Sequence, residues 1–520
     1  MSRTARTVFL LGSALFWGIV LLLGAEVLGR ARWRRVLDTN PYIRAWSSSG
    51  VPEPGTDGNQ FSGELLDEAL RDRFRGPGQT REPLPAWDAA TVLRARAEHF
   101  FALDEVARRP FASLYHVQVL ALSAEGDILG AYGPAPPKPG QSLEECLGAE
   151  AAARARAACA GAADDFTAPL DGEDRVFHAR PFSGNWQGGG PPAVALFYPN
   201  TRQPRDLPDN NDLWDSPFFT YRPLAALRQQ VDVIGRAAQF SINNAGFRDD
   251  NVLLPKPPGV FRIVCVGAST TEEGPSNDLT YPNLLEFYLN RALGGRRVDV
   301  VNAGVSGINS DKHVLKLADY LLLEPDMIVV YNAANDICHG LFPKWVTGAS
   351  ALQRAVRSLR VLDALALPGE AAQRRDVRKM TANLSFLCDQ AAARGIRVAL
   401  CTFAAPLPPA ELPPVERDFF EFVTRRDWAG RYVSYASYLR TLGLYNGEIE
   451  ALCRERGIPC LPVADRVRGS KDIFGDIFHM KNRGIERKAR AMAEMVLPLL
   501  PEGLSADAAP QTPSSGSPGN

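Results

Sequence analysis

The strongest constraint on what this chain can fold into is a series of five short apolar runs in its second half. They are Phe261–Gly267, Arg297–Ala303, Asp326–Asn332, Ile396–Thr402 and Ile458–Val463. The runs are continuous rather than alternating, which suits strands buried on both faces of a parallel sheet. Helix-length segments between them, such as Pro282–Leu293 and Asp311–Leu323, predict right-handed crossovers. Residues 241–500 therefore read as an α/β unit built on a doubly wound parallel sheet.

In an open parallel sheet, ligands bind beyond the carboxyl ends of the strands, where strand order reverses. The first run leads into Gly267-Ala268-Ser269-Thr270-Thr271 and the second into Asn302-Ala303-Gly304-Val305-Ser306-Gly307. The third leads into Asn332-Ala333-Ala334-Asn335-Asp336, and Asp476-Ile477-Phe478-His479 lies in the loop before the last helix. A serine hydroxyl is a weak nucleophile at neutral pH and needs a base within hydrogen-bond reach. His479 can be that base, and Asp476 can hold the other ring nitrogen and stabilise the imidazolium. The backbone N–H groups of Ser269 and Gly304 and the side-chain amide of Asn335 are candidate oxyanion donors. Each piece alone has a blander reading: Ser269 as a helix cap, Gly304 as a tight turn, Asn335-Asp336 as a turn. Their conjunction at strand ends points to chemistry.

On these residues the chain from about 242 to 500 resembles the SGNH (GDSL-type) hydrolases. The lead-in Ile242-Asn243-Asn244-Ala245-Gly246-Phe247-Arg248 resembles the N-x-x-G-F-R element found before the first strand of bacterial members. The family's nucleophilic Ser, its Gly, its Asn and its Asp-x-x-His fall on Ser269, Gly304, Asn335 and Asp476/His479. The resemblance implies ester hydrolysis or acyl transfer on a flavodoxin-like sheet of order 2-1-3-4-5, with no metal or cofactor. Two departures stand out. Gly-Ala-Ser replaces the usual G-D-S, and Ala333-Ala334-Asn335-Asp336 replaces G-x-N-D; neither removes a catalytic group.

Other polar residues divide between structure and site. His313 starts a helix and reads as structural. His339 follows the Asn335 loop and is a candidate substrate contact, while Asp472 is the second-choice partner for His479. Cys265 and Cys401 fall inside buried strand patterns. Segments 341–370 and 403–444 exceed the ~2–6 residues of ordinary βα loops and are expected to shape the pocket. Phe419, Phe420, Phe422 and Trp428 read either as an apolar cover or as a helix packing its own face.

At the front, Thr7–Ala25 holds nineteen residues without a charge. As a helix it would be about 29 Å long, close to a bilayer's ~30 Å hydrocarbon core. Residues 1–36 are expected to form an uncleaved single-pass anchor, because a signal peptide would have a shorter run and a small-x-small site. Arg30, Arg32, Arg34 and Arg35 after the span would favour a cytoplasmic body by the positive-inside rule. The family resemblance instead implies an extracytoplasmic, periplasmic body, in which Cys146 with Cys159 and Cys453 with Cys460 could be disulfides or remain thiols. Residues 37–90, rich in Pro, Gly and Ser, read as a spacer with one short helix over 64–74. Residues 91–205 read as a small α+β unit similar in outline to PAS- or Cache-type sensing modules, or else as a spacer domain. Residues 206–240 form a connector and 501–520 a disordered tail.

Charge and composition narrow the partners. Lys+Arg 58 against Asp+Glu 59 leaves no basic field to hold nucleic acid. Eight cysteines without a C-x-x-C pair give neither a disulfide scaffold nor a zinc motif. The expected partners are the membrane and a small-molecule, lipid or glycan ester. Two other readings remain open: acyl transfer to a glycan or lipid acceptor, and a non-catalytic glycan- or lipid-binding module.

Overall fold

The computed structural model describes residues 3–47, 117–132, 137–138, 140–159, 164–170, 172–182, 193–199, 221, 226–229, 238–295, 297–341, 370–427 and 434–504. The expected helix over 64–74, the stretch 91–116, Trp428, most of the 341–370 segment and the tail beyond 504 lie outside them.

The chain opens with a helix α1 (Arg3–Thr39) followed by α2 (Pro41–Ser47). Apolar side chains from Phe9 to Leu28 are exposed along α1, as on a helix long and apolar enough to cross a membrane. The spacer expected from residue 37 does not begin there. Asn40 caps α2, its Oδ1 accepting from the N–H groups of Tyr42 (3.0 Å) and Ile43 (3.2 Å), and Pro41 fills the first position.

A five-stranded antiparallel sheet follows: β1 (Val117–Leu122), β2 (Ile128–Tyr132), β3 (Asp164–Leu170), β4 (Glu173–Phe182) and β5 (Ala193–Pro199), in the order 2-1-5-4-3. The Ala-rich stretch over 144–158 forms two helices, α3 (Leu143–Leu147) and α4 (Ala149–Cys159), parted at Gly148 with φ 80°. The small side chains of Ala151, Ala152, Ala155 and Ala158 bury α4 against a core that includes the stacked rings of Phe166 and Phe177. A two-stranded ribbon of β6 (Ala226–Gln229) and β7 (Ala238–Ser241) leads out of it.

The second sheet is parallel throughout. It contains β8 (Phe261–Gly267), β9 (Val298–Gly304), β10 (Met327–Tyr331), β11 (Arg397–Cys401) and β12 (Cys460–Leu461). Its order is β9-β8-β10-β11-β12, which is the doubly wound 2-1-3-4-5 arrangement. The register sets Gly267 level with Gly304 on one side and with Tyr331 on the other. Three strands therefore end side by side, and the residues that follow them must share one edge of the sheet.

The connecting helices are α5 (Ser269–Glu272), α6 (Tyr281–Ala292), α7 (Ser310–Leu315), α8 (Leu317–Leu322), α9 (Ala334–Leu341), α10 (Glu370–Ala392), α11 (Pro414–Asp427), α12 (Tyr435–Arg456), α13 (Val463–Arg466) and α14 (Asn482–Val496). The single helix expected over 311–323 breaks into α7 and α8 at Lys316. All seven residues of β8 are buried, including Arg262. That guanidinium reaches Asp299 Oδ2 (2.7 Å) and the carbonyls of Leu323 (2.8 Å) and Leu253 (2.9 Å). At the amino end of the strand every guanidinium nitrogen thus has a partner.

The front of the chain returns to this unit. Ile43 is buried, Tyr42 and Trp46 meet the Phe419 ring edge-on at 5.9 and 5.8 Å, and Asn40 Nδ2 donates to Val415 O (2.7 Å). All eight cysteines are free thiols; Cys453 and Cys460 hydrogen-bond to each other, which raises the first thiol and lowers the second.

Candidate active site

Ser269 opens α5, the turn directly after β8. Ala268 precedes it with no side-chain cap, so the first N–H groups of this turn depend on other acceptors. Gly267 is required here, because a Cβ would lie 2.0 Å from Thr271 Oγ1 and 2.5 Å from Tyr331 O. The turn is thereby pressed onto the sheet edge.

His479 comes from the loop between α13 and α14. Its Nε2 lies 2.9 Å from Ser269 Oγ, and its Nδ1 lies 2.7 Å from Asp476 Oδ2. The other Asp476 oxygen accepts from the N–H groups of Phe478 (2.8 Å) and His479 (2.6 Å), so one carboxylate fixes both the loop and the ring. Asp472 is not the partner: its Oδ1 accepts from Ser470, and about half of its side chain is exposed. An aromatic column runs to the site from α11. Phe420 stacks on Tyr435 at 5.6 Å, Tyr435 on Tyr438 at 6.5 Å, Tyr438 meets Phe478, and Phe478 sets its edge against His479 at 4.8 Å. Phe419 and Phe420 are fully buried, so these two pack the core, as the second reading of that cluster expects.

The oxyanion side requires a correction. The N–H of Gly304 donates to Asn302 Oδ1 at 3.0 Å, and a Cβ there would sit 2.5 Å from Glu272 N. Gly304 is thus a packing glycine whose donor is already used. Three residues later, Gly307 is exposed with φ +78° and open space where a Cβ would stand. Asn335 Nδ2 donates to Ile308 O at 2.6 Å, which brings the Gly307 turn beside the Asn335 amide. The paired glycines in Gly304-Val305-Ser306-Gly307 carried the signal, but spacing alone could not say which one is packed and which is exposed.

His313 is buried with its Nδ1 2.8 Å from Tyr320 OH, and burial pushes its imidazole down to about 3. It is structural. His339 lies in α9, with its side chain outside those described. Asp336 is buried and accepts from the N–H of Ser310 and from Asn332 Nδ2, tying the end of β10 to α7. Burial raises its carboxyl, and these hydrogen bonds oppose the rise.

The lead-in element is a brace. Asn243 Oδ1 accepts from the N–H groups of Ala245 and Phe247, closing a turn around Gly246 at φ +84°. Arg248 then donates to the carbonyls of Glu272 (2.6 Å) and Gly274 (2.7 Å), directly behind the serine turn. Asp249 accepts from Asn283 Nδ2 and from the N–H of Asn302. The Glu272 carboxyl takes the Tyr221 hydroxyl at 3.0 Å, and burial raises it against the pull of Arg248.

A hydroxyl, an imidazole and a carboxylate thus stand in hydrogen-bonded series at the carboxyl edge of a doubly wound sheet. Residues 265–487 match the model of the GDSL-like Lipase/Acylhydrolase family, and the α/β domain belongs to that family of carboxylic ester hydrolases. The chain is similar to a GDSL-like lipase from Bacteroides thetaiotaomicron, at 17% identity over 46% of this chain and 89% of that one, with a TM-score of 0.28. It is also similar to a lipase/acylhydrolase from Enterococcus faecalis, at 15% identity over 46% and 98%, TM-score 0.30. A third likeness is to the acetyl xylan esterase AlAXEase, at 17% identity over 45% and 100%, TM-score 0.31. The comparison with curated proteins returned no match.

Among the described residues, no group of three or more His, Cys, Asp or Glu side chains is arranged to hold a metal ion.

Proposed function

We propose that the α/β domain is a serine hydrolase that cleaves a carboxylic ester through an acyl-enzyme. The observation that carries this reading is the continuous series Ser269 Oγ, His479 and Asp476, with links of 2.9 and 2.7 Å. Ser269 Oγ attacks the ester carbonyl while His479 Nε2 takes its proton, and Asp476 stabilises the imidazolium on the Nδ1 side. The carbonyl oxygen gains charge and meets the N–H groups of Ser269 and Gly307 and the Asn335 amide. Collapse of the tetrahedral adduct breaks the ester C–O bond, and the imidazolium gives its proton to the departing alkoxide. Water then repeats the sequence on the acyl-enzyme, His479 takes its proton, and the carboxylic acid leaves with Ser269 restored.

The test is labelling with a fluorophosphonate probe beside turnover of p-nitrophenyl acetate. Wild type should react at Ser269, and Ser269→Ala should lose both label and at least about 10⁴-fold of turnover. Undiminished turnover by Ser269→Ala would eliminate the mechanism.

The same reading makes α1 an uncleaved membrane anchor with an extracytoplasmic body. Support comes from its exposed apolar length and from its unbroken run past Glu26 to Thr39, with α2 docked on the hydrolase unit. Release of intact chain from membranes by an alkaline wash would refute the anchor. A membrane-impermeant thiol reagent that labels only after lysis, with or without reductant, would refute the placement of the body.

A further inference from the structure

The series Ser269–His479 joins two segments separated by 210 positions, so something must fix the distance between them. Behind the site lies a buried ion pair that the catalytic steps do not use. Lys488, on α14, and Glu273, at the end of the serine turn, have side chains 0% and 2% exposed. Lys488 Nζ donates to Glu273 Oε1 at 2.9 Å and to the carbonyl of Thr270 at 2.7 Å. The other Glu273 oxygen accepts from the N–H of Met480 at 2.8 Å. Thr270 directly follows Ser269, and Met480 directly follows His479. One side of the pair therefore grips the backbone next to the nucleophile, and the other grips the backbone next to the base.

The cation is itself caged. Nζ lies 4.4 Å from the centre of the Tyr281 ring and 4.7 Å from that of Tyr331. Both rings belong to the sheet core, Tyr331 ending β10 and Tyr281 opening α6. Cation–π attraction in a desolvated site holds the ammonium against a strand and a helix that belong to neither loop. A buried pair of this kind is a poor source of stability, since removing its charges from water offsets most of the attraction. Its benefit lies in a fixed geometry.

We propose that Glu273 and Lys488 are positioning residues, a strut that sets the Ser269 Oγ to His479 Nε2 distance by clamping the peptide after each. The proposal rests on the serine-hydrolase reading above. Loss of the strut should lower the rate of nucleophilic attack while leaving ester binding nearly unchanged.

The test compares two neutral replacements at one position. Glu273→Gln keeps an oxygen for the Met480 N–H, while Glu273→Leu removes it and leaves Lys488 its Thr270 carbonyl and two rings. Because a displacement near 1 Å can cost on the order of 100-fold, Glu273→Leu should lose about thirtyfold in kcat and in fluorophosphonate labelling rate, with KM within about twofold. Glu273→Gln should stay within about threefold of wild type in both. Equal kcat for the two variants, or a loss confined to KM, would overturn the strut. Where Glu273→Leu does not melt cooperatively, the double variant E273Q/K488M removes the Thr270 grip but keeps the Met480 acceptor. It should lose about tenfold in kcat, and wild-type kcat would overturn the proposal. Failure of folded wild type to take the label would instead sink the serine-hydrolase reading itself.

Discussion

The two ends of the parallel sheet use polar groups in opposite ways. At the amino end, Arg262 is buried with all three guanidinium nitrogens engaged, its backbone N–H bonded to Asp326 Oδ2 (2.7 Å), and that same carboxylate ion-paired with Lys256. At the carboxyl end, Gly307 is exposed, and Asn335 has committed one amide hydrogen to Ile308, with the second N–H remaining on the same nitrogen. The first arrangement leaves nothing for a ligand. The second leaves an exposed turn and an amide hydrogen, the donors that the proposed oxyanion contacts require. A saturated network contributes stability, whereas an unsaturated one contributes chemistry and costs stability until substrate arrives.

That contrast can be broken at either end. Arg262→Met should give the largest loss of stability, toward the lower end of ~3–5 kcal/mol, because Asp299 keeps about a third of its side chain in water. Chemical denaturation should show it while kcat/KM of the remaining folded enzyme is unchanged; a kcat loss would deny the separation of the two ends. Asn335→Ala should do the reverse, costing ~2.7–4 kcal/mol of barrier in kcat with little change in melting temperature. A large fall in melting temperature with intact kcat would make Asn335 a structural residue.

His313, behind the sheet edge, adds a pH-dependent part. Its folded pKa, about 3, lies below the ordinary 6.5, so the unfolded chain binds the extra proton first. The stability from burying it neutral is present above pH ~6.5 and declines by up to about 1.4 kcal/mol per pH unit as pH falls toward about 3. His313→Phe should flatten that part of the stability–pH curve. An unchanged slope would show that other groups set it.

The sheet was legible because β8 to β12 are apolar on both faces, and the register follows once the order is known. Phe261–Gly267 is both the expected run and the observed strand. The Asp-x-x-His loop was legible because its partners are three residues apart and one carboxylate serves both backbone and ring. Three features were not. Gly304 and Gly307 differ in which of them packs, a property of neighbouring atoms and not of spacing. Glu273 and Lys488 carry no local signal of a pair, since only the fold brings positions 215 apart to contact. The short α2 looked like the start of a loop, although Asn40-Pro41 is a cap followed by a favoured first helical residue.

The crowding at Gly267 and Gly304 also bears on where this sheet edge can be altered. A methyl group at either position would have to displace backbone or a buried side chain, so diversity introduced there should yield mostly unfolded protein. Both glycines should be left as they are in any library built on this edge of the sheet.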